Sequence, residues 1–197
     1  FGTSASIKRE KGLLRALKEF PSAQLEQIVR ANWKSALAEK MFIRLKARYP
    51  DASVVWAASD GMAIGAAIAA TEMKLTLGKD VVIGGIDWSA EGLDAVQKGQ
   101  IQATVGGHFM EGAWTLVAVY DYLKGFDFAK SDGMRMKTKM TLLTLDNISE
   151  YSVLFDDKNW SKINFKNFSK RYEHKQSYYD FTLPKVITEL HKGINGP

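Results

Sequence analysis

Three short apolar runs in this chain end in residues able to bind a ligand or do chemistry. Ser59 and Asp60 follow Val54 to Ala58, Asp87 and Trp88 follow Val81 to Ile86, and Gly107 and His108 follow Ile101 to Val105. Asn32 and Trp33 follow a weaker run, Leu25 to Ala31. Carboxylates accept hydrogen bonds from hydroxyl groups and flat indoles cover the C–H faces of a ring, so this set suits a neutral, hydroxyl-rich ligand. Each residue also has a plain structural role open to it. Asp60 stands just before an Ala-rich helical stretch and reads as its N-cap, which is compatible with lining the mouth of a cleft. Asp87 follows Gly84-Gly85, where missing side chains allow close approach, and reads as a ligand contact ahead of turn chemistry. Trp33 and Trp88 fit stacking on a ligand and packing in a core equally well.

Signatures of catalysis are missing from the same sequence. It contains no G-x-S-x-G, P-loop, H-E-x-x-H or G-x-G-x-x-G. With no cysteine, disulfides, thiolate metal sites and cysteine nucleophiles drop out together. His108, His174 and His191 are too scattered to make a metal motif. No metal, cofactor or enzymatic activity is expected. Gly61 and Gly65, four apart in a helical stretch, predict close packing of that helix on a sheet.

The elements that must position these residues repeat one pattern. Each apolar run is followed by a polar or Gly turn and then a helical stretch: Met62 to Met73, Ser89 to Val96, and Phe109 to Leu123. Continuous apolar strands spaced by helices predict an α/β fold with a doubly wound parallel sheet. In such a sheet ligands bind beyond the carboxyl ends of the strands, where the polar residues above all fall. Earlier, Ser4 to Phe20 reads as a helix closed by Pro21, Leu25 to Ala31 as a strand, and Trp33 to Arg48 as a helix ended by Tyr49-Pro50. Met140 to Leu145 could form one more strand. Beyond it the chain turns polar and aromatic, with Tyr151, Phe155, Trp160, Phe165, Phe168, Tyr172, Tyr178, Tyr179 and Phe181, and only Pro184 to Lys192 reads as helix again. Lys162, Lys166, Lys170, Arg171 and Lys175 alternate with these rings. That mixture reads as aromatics packing down while lysines face water, and no nucleic-acid partner is expected. The 197 residues carry 27 Lys plus Arg against 22 Asp plus Glu, a net charge of +5, with 46% apolar residues. These are ordinary globular values, and no apolar run reaches the roughly 20 residues of a membrane helix.

Several motifs in this order resemble the second half of type I periplasmic sugar-binding proteins. This family includes the ribose- and galactose-binding proteins, autoinducer-binding receptors and, more distantly, the effector cores of lac-type repressors. The markers are Gly2-Thr3-Ser4-Ala5-Ser6 with Arg9-x-x-Gly12, and Ala58-Ser59-Asp60-Gly61-Met62-Ala63-Ile64-Gly65-Ala66. They continue with Ile83-Gly84-Gly85-Ile86-Asp87, Glu91-Gly92-Leu93, Ala95-Val96-Gln97-Lys98-Gly99 and Ala103-Thr104-Val105. The resemblance runs from Gly2 to about Asp127. It implies a Rossmann-like three-layer lobe and a ligand pocket between two lobes. Trp33 would stack on a sugar ring, Ser59 stands where many relatives bond sugar hydroxyls through Asn, and Asp87 stands on the carboxylate that grips hydroxyls. Arg9 joins the ligand-binding candidates with Asn32, Asp60, Trp88 and His108. Two departures stand out: Ile7 occupies the place of a ligand-binding Arg, and Gly107 that of a hinge-side amide.

The same resemblance implies an organisation. Residues 1–106 would form the second, C-terminal ligand-binding lobe without its first strand. Residues 107–140 would be a helix and crossover belonging to the first lobe, and 141–197 a return strand and extended tail. The start at Phe1-Gly2-Thr3-Ser4 then implies a processed leader or a longer protein, with the N-terminal lobe as a missing partner. The implied function is the solute-binding component of a carbohydrate ABC importer in the periplasm, closing on a small sugar and docking on a membrane permease. The alternatives are a receptor signalling to a membrane sensor kinase, or the core of a lac-type transcription regulator.

Overall fold

Side-chain caps mark where three helices of the first half begin. In a computed structural model, which describes residues 3–133, 136, 138–173 and 178–195, the Thr3 hydroxyl accepts from the Ser6 amide at the start of α1 (Ser4–Glu19). The Ser59 hydroxyl does the same for Met62 ahead of α3 (Asp60–Glu72), and Ser89 for Gly92 ahead of α4 (Ala90–Gln97). Each cap satisfies an amide that the helix leaves unpaired. The N-cap of α3 is thus Ser59, not Asp60: the hydroxyl has the extended backbone a cap needs, and Asp60 is already the first helical residue.

Four strands form one sheet in the order β1 (Val54–Trp56), β2 (Val82–Asp87), β3 (Ala103–Gly106) and β4 (Thr141–Thr144). β1 and β2 are parallel, with Val54 opposite Val82 and Trp56 opposite Gly84. The chain falls into two units. The first comprises Phe1–Val105 and Leu142–Asp146, the second Gly106–Thr141 and Asn147–Pro197.

In the first unit, α2 (Ser35–Arg48) packs along α3. Ala63, Ala66, Ala67, Ala69 and Ala70 are all buried on α3, where small side chains permit this approach. A Cβ at Gly65 would strike the Ser35 carbonyl at the start of α2, so this glycine serves helix–helix packing rather than the helix–sheet contact expected. Gly61 meets nothing within 4 Å. Ile83, Val81, Val96 and Ile101 complete the core beneath the sheet.

Two expectations need correcting here. Leu25 to Ala31 forms no strand: the sheet is made by β1 to β4, no ladder is available to this run, and Leu25 and Ile28 lie exposed. A strand exists only with a partner, however suitable its composition. The next helix begins at Ser35 and not at Trp33, because Asn32 and Trp33 hold positive φ angles of 48° and 60° that no right-handed helix admits.

The second unit gathers, among the described residues, α5 (Glu111–Leu123), α6 (Phe128–Ser131), four 3-10 segments (His108–Met110, Ile148–Leu154, Asp157–Lys162, Phe165–Phe168) and α7 (Leu183–Asn195). Its aromatic residues build a core. Trp114 of α5 stacks on Phe181 at 4.8 Å and tilts against Phe168 at 5.1 Å, and Tyr179 stacks on Phe181 at 4.7 Å. Polar groups close the same contact. Buried Asp121 accepts from the Ser169 hydroxyl (2.5 Å), the Lys170 amide (2.7 Å) and the Tyr179 hydroxyl (2.9 Å). Lys170 does not face water as the pattern of rings and lysines suggested. Its ammonium pairs with Asp132 at 2.5 Å, both side chains nearly buried, and lies 4.4 Å from the centre of the Tyr179 ring. A buried cation needs such partners. His174 and Lys175 lie outside the described residues.

Candidate functional site

Arg9 gathers three separate pieces of the first unit. From the middle of α1 its guanidinium donates to the Ala58 carbonyl at 2.5 Å, in the turn after β1. Its other terminal nitrogen donates to Asp87 Oδ1 at 2.6 Å, at the end of β2. The same group lies 5.5 Å from the centre of the Trp33 ring, in the turn before α2. These contacts stand at the carboxyl ends of β1 and β2, where an open sheet binds ligands. A planar cation with five N–H donors suits the junction, since it can bond two acceptors in fixed directions and still lie on an aromatic face.

The turns carrying Trp33 and Asp87 are held in costly conformations. Besides Asn32 and Trp33, Asp87 has φ of 135° and Trp88 φ of 61°. A non-glycine residue held there costs roughly 1–3 kcal/mol and persists only where its surroundings over-determine it. The ion pair is partly accessible, with side-chain exposures of 18% for Arg9 and 34% for Asp87. Trp33 and Asn32 are exposed. The surface therefore offers acceptors on Asp87, donors on Arg9 and an indole within one small neighbourhood.

Trp88 and Asp60 point the other way. Trp88 is buried and its indole N–H donates to the Thr104 carbonyl at 3.3 Å, so its ring packs beneath the turn. Asp60 is 1% exposed, its Oδ1 accepting from the Thr104 hydroxyl at 2.6 Å and its Oδ2 from the Ser89 amide at 2.9 Å. Burial pushes the Asp60 carboxyl above its ordinary pKa, and the charge of Asp87 adds to this. The donors Thr104, Ser89 and the Trp88 backbone oppose the rise without cancelling it. Ser59 is buried too, its oxygen engaged in capping α3, while its hydroxyl hydrogen remains available to donate.

Of the eight candidate residues, the structure thus brings Arg9, Asp87 and Trp33 into direct contact, with Asn32 adjacent and Ser59 beside the Ala58 carbonyl. It turns Asp60 and Trp88 inward, because their polar atoms meet Thr104 and Ser89. His108 belongs to the second unit, in a 3-10 turn after Gly107 (φ 101°). Thr104 and the Ala58 carbonyl had no role assigned in the sequence. The signal for Thr104 was available in Gly85 and Gly92: a Cβ at either would fall on the Asp60 carboxylate, so small residues make room for a buried acid that must have a donor.

The family model described as "periplasmic binding protein domain" matches residues 1–126. A D-apiose import binding protein of Paraburkholderia graminis is 32% identical over 97 residues, which are 49% of this chain and 30% of that protein. The galactofuranose-binding protein YtfQ of Escherichia coli is 31% identical over 109 residues, 53% of this chain and 34% of that protein. A crystal structure described as a periplasmic sugar-binding protein from Pseudomonas fluorescens superposes with a TM-score of 0.84 at 32% identity. It covers 94% of this chain and 56% of the other. The chain thus spans about a third of the first two relatives and just over half of the third.

Proposed function

The chain belongs to the periplasmic binding protein family, and on that premise we propose that it is part of the solute-binding component of a carbohydrate importer. The observation that carries this reading is the Arg9–Asp87 pair, with the Arg9 guanidinium over the ring of an exposed Trp33. A sugar hydroxyl is both donor and acceptor. One hydroxyl can give its hydrogen to Asp87 while a neighbour accepts an N–H from Arg9, which uses only some of its five donors on protein oxygens. Such hydrogen bonds to charged groups contribute about 1.5–3 kcal/mol each, and an indole face on the ring adds about 0.5–1.5 kcal/mol. Neither group needs to titrate or react, in keeping with a family of binding proteins.

The strained turns support the reading as well. They hold Asp87 and Trp33 in place before the ligand arrives, so little ordering cost remains at binding. The neighbouring proteins whose names mention D-apiose and galactofuranose suggest a pentose or a furanose-ring sugar as the ligand class. In the complete protein a second lobe would close over this surface, in the periplasm, and the closed form would dock on a membrane permease. The test is a fluorescence and calorimetry panel of D-apiose, D-ribose, L-arabinose and D-galactose on the full-length protein. Binding of at least one sugar with a change in tryptophan emission is expected. Silence across the panel would remove the carbohydrate reading.

A further inference from the structure

Asp60 sits beneath the turn that presents Asp87, and the hydrogen bonds that its carboxylate accepts come from that turn or from the strand beside it. Its Oδ2 takes the Ser89 amide, two residues past Asp87, and Ser89 in turn caps α4 through its hydroxyl. Its Oδ1 takes the Thr104 hydroxyl, and the carbonyl of the same Thr104 holds the Trp88 indole. Three residues in a row are therefore pinned by one arginine, one threonine and one acid. Arg9 holds Asp87 from above, Thr104 holds Trp88, and Asp60 holds Ser89.

That pinning answers a specific need. Asp87 and Trp88 have φ angles of 135° and 61°, a path that side-chain-bearing residues leave unless they are held. The surroundings are shaped for the acid: Gly85 on β2 and Gly92 on α4 lack the Cβ atoms that would collide with its carboxylate. A carboxylate 1% exposed and filling a space kept clear by two glycines is not disposed to meet a ligand.

We propose that Asp60 is a positioning residue for ligand binding, setting the direction in which Asp87 points without touching the ligand. This rests on the reading that Asp87, Arg9 and Trp33 form the ligand-binding surface. It makes a distinctive demand on substitutions. In Asp60→Asn one amide oxygen can still accept from Ser89, and the amide nitrogen can donate to the Thr104 hydroxyl, which accepts as readily as it donates. Asp60→Ala leaves the Ser89 amide without its acceptor. Thr104→Val keeps the carbonyl that holds Trp88 but removes the hydroxyl from Asp60.

The experiment is calorimetry on the full-length wild type and the three variants, using whichever of D-apiose, D-ribose, L-arabinose and D-galactose binds most tightly, together with hydrogen exchange at the Ser89 amide without sugar. Asp60→Ala is expected to weaken binding about tenfold or more at unchanged stoichiometry, and Thr104→Val by about three- to tenfold. Asp60→Asn should stay within about threefold of wild type. Ser89 exchange should rise about tenfold or more in Asp60→Ala. A fold-stabilising role alone would lower the stoichiometry through unfolded molecules and leave the affinity of the rest unchanged, and that result overturns the proposal. If Asp60→Ala does not fold, Thr104→Val decides, and unchanged affinity there overturns it equally. Failure of the wild type to bind any of the four sugars would instead defeat the ligand reading. Ser89 exchange would then stand alone, an increase in Asp60→Ala upholding the pinned turn and no change refuting it.

Discussion

Replacing Arg9 with Met removes the guanidinium while keeping much of the aliphatic stem, and so isolates what the charge does for the ligand-free site. Two hydrogen bonds are lost, one to the Ala58 carbonyl at 2.5 Å and one to Asp87 at 2.6 Å, along with the contact over Trp33. A hydrogen bond to a charged group contributes about 1.5–3 kcal/mol when buried. With side chains 18% and 34% exposed, screening brings the Arg9–Asp87 pair toward the range of surface pairs, about 1 kcal/mol. The carbonyl bond adds about 1 kcal/mol and the cation over the ring about 0.5 kcal/mol. Arg9→Met should therefore destabilise the protein by about 2–3 kcal/mol. The pairwise part is separable in a double-mutant cycle with Asp87→Asn, which removes the charge at nearly constant shape. Urea unfolding of the four proteins, followed by tryptophan fluorescence, should return a coupling of about 1 kcal/mol that shrinks as salt is added. A coupling below about 0.3 kcal/mol would mean that Arg9 and Asp87 act independently, and the idea of an ion pair that organises the strand ends would be wrong.

Glycine substitutions give a matched pair of expectations. Gly92→Ala drives a Cβ onto the Asp60 carboxylate and should cost about 1–3 kcal/mol, whereas Gly61→Ala meets nothing within 4 Å and should be neutral or stabilise by about 0.5 kcal/mol, both read from urea midpoints. Trp33→Ala should weaken binding of the best sugar by about 1 kcal/mol, measured by calorimetry, while leaving the unfolding midpoint little changed because the ring is exposed. In the second unit, burial alone would raise the Asp132 carboxyl, but Lys170, the Ser131 hydroxyl and the Tyr179 amide outweigh it and hold its pKa below the ordinary value. A depressed carboxylate contributes stability that is present above its unfolded pKa and lost as pH falls through the folded one. Acid unfolding followed by Trp114 and Trp160 emission should therefore steepen below about pH 4, and Asp132→Asn should flatten that limb.

The parts of the fold that could be read in advance are those written in consecutive residues. Val54 to Ala58, Val81 to Ile86 and Ile101 to Val105 are continuous apolar runs before turn residues; β1 lies within the first, and β2 and β3 each end one residue past theirs. Leu25 to Ala31 has a similar composition and forms no strand, because pairing is a property of two segments and the sequence displays one. Asp87 stood out through the glycines before it. Arg9 did not stand out on its own, since its partner is 78 positions away and only the family likeness marked it. Asp60 and Trp88 were visible as residue types but not as directions. A helix start accepts an Asp whether it faces water or the interior, and only Gly85, Gly92 and Thr104 together decide that this one is buried. The rings after Asn147 were legible as aromatics that pack down but not as the partners of Trp114, because Trp114, Phe168, Tyr179 and Phe181 meet from positions up to 67 apart (181 − 114).

The central claim is that the end of β2 holds a carboxylate aimed at sugar hydroxyls. Calorimetric titration of the full-length wild type and Asp87→Ala with the same sugar tests it most directly. The account predicts measurable binding by the wild type and affinity weakened by about a hundredfold or more in the variant, beside a stability loss of only about 1 kcal/mol from the broken ion pair. Equal affinity in the two proteins would contradict it.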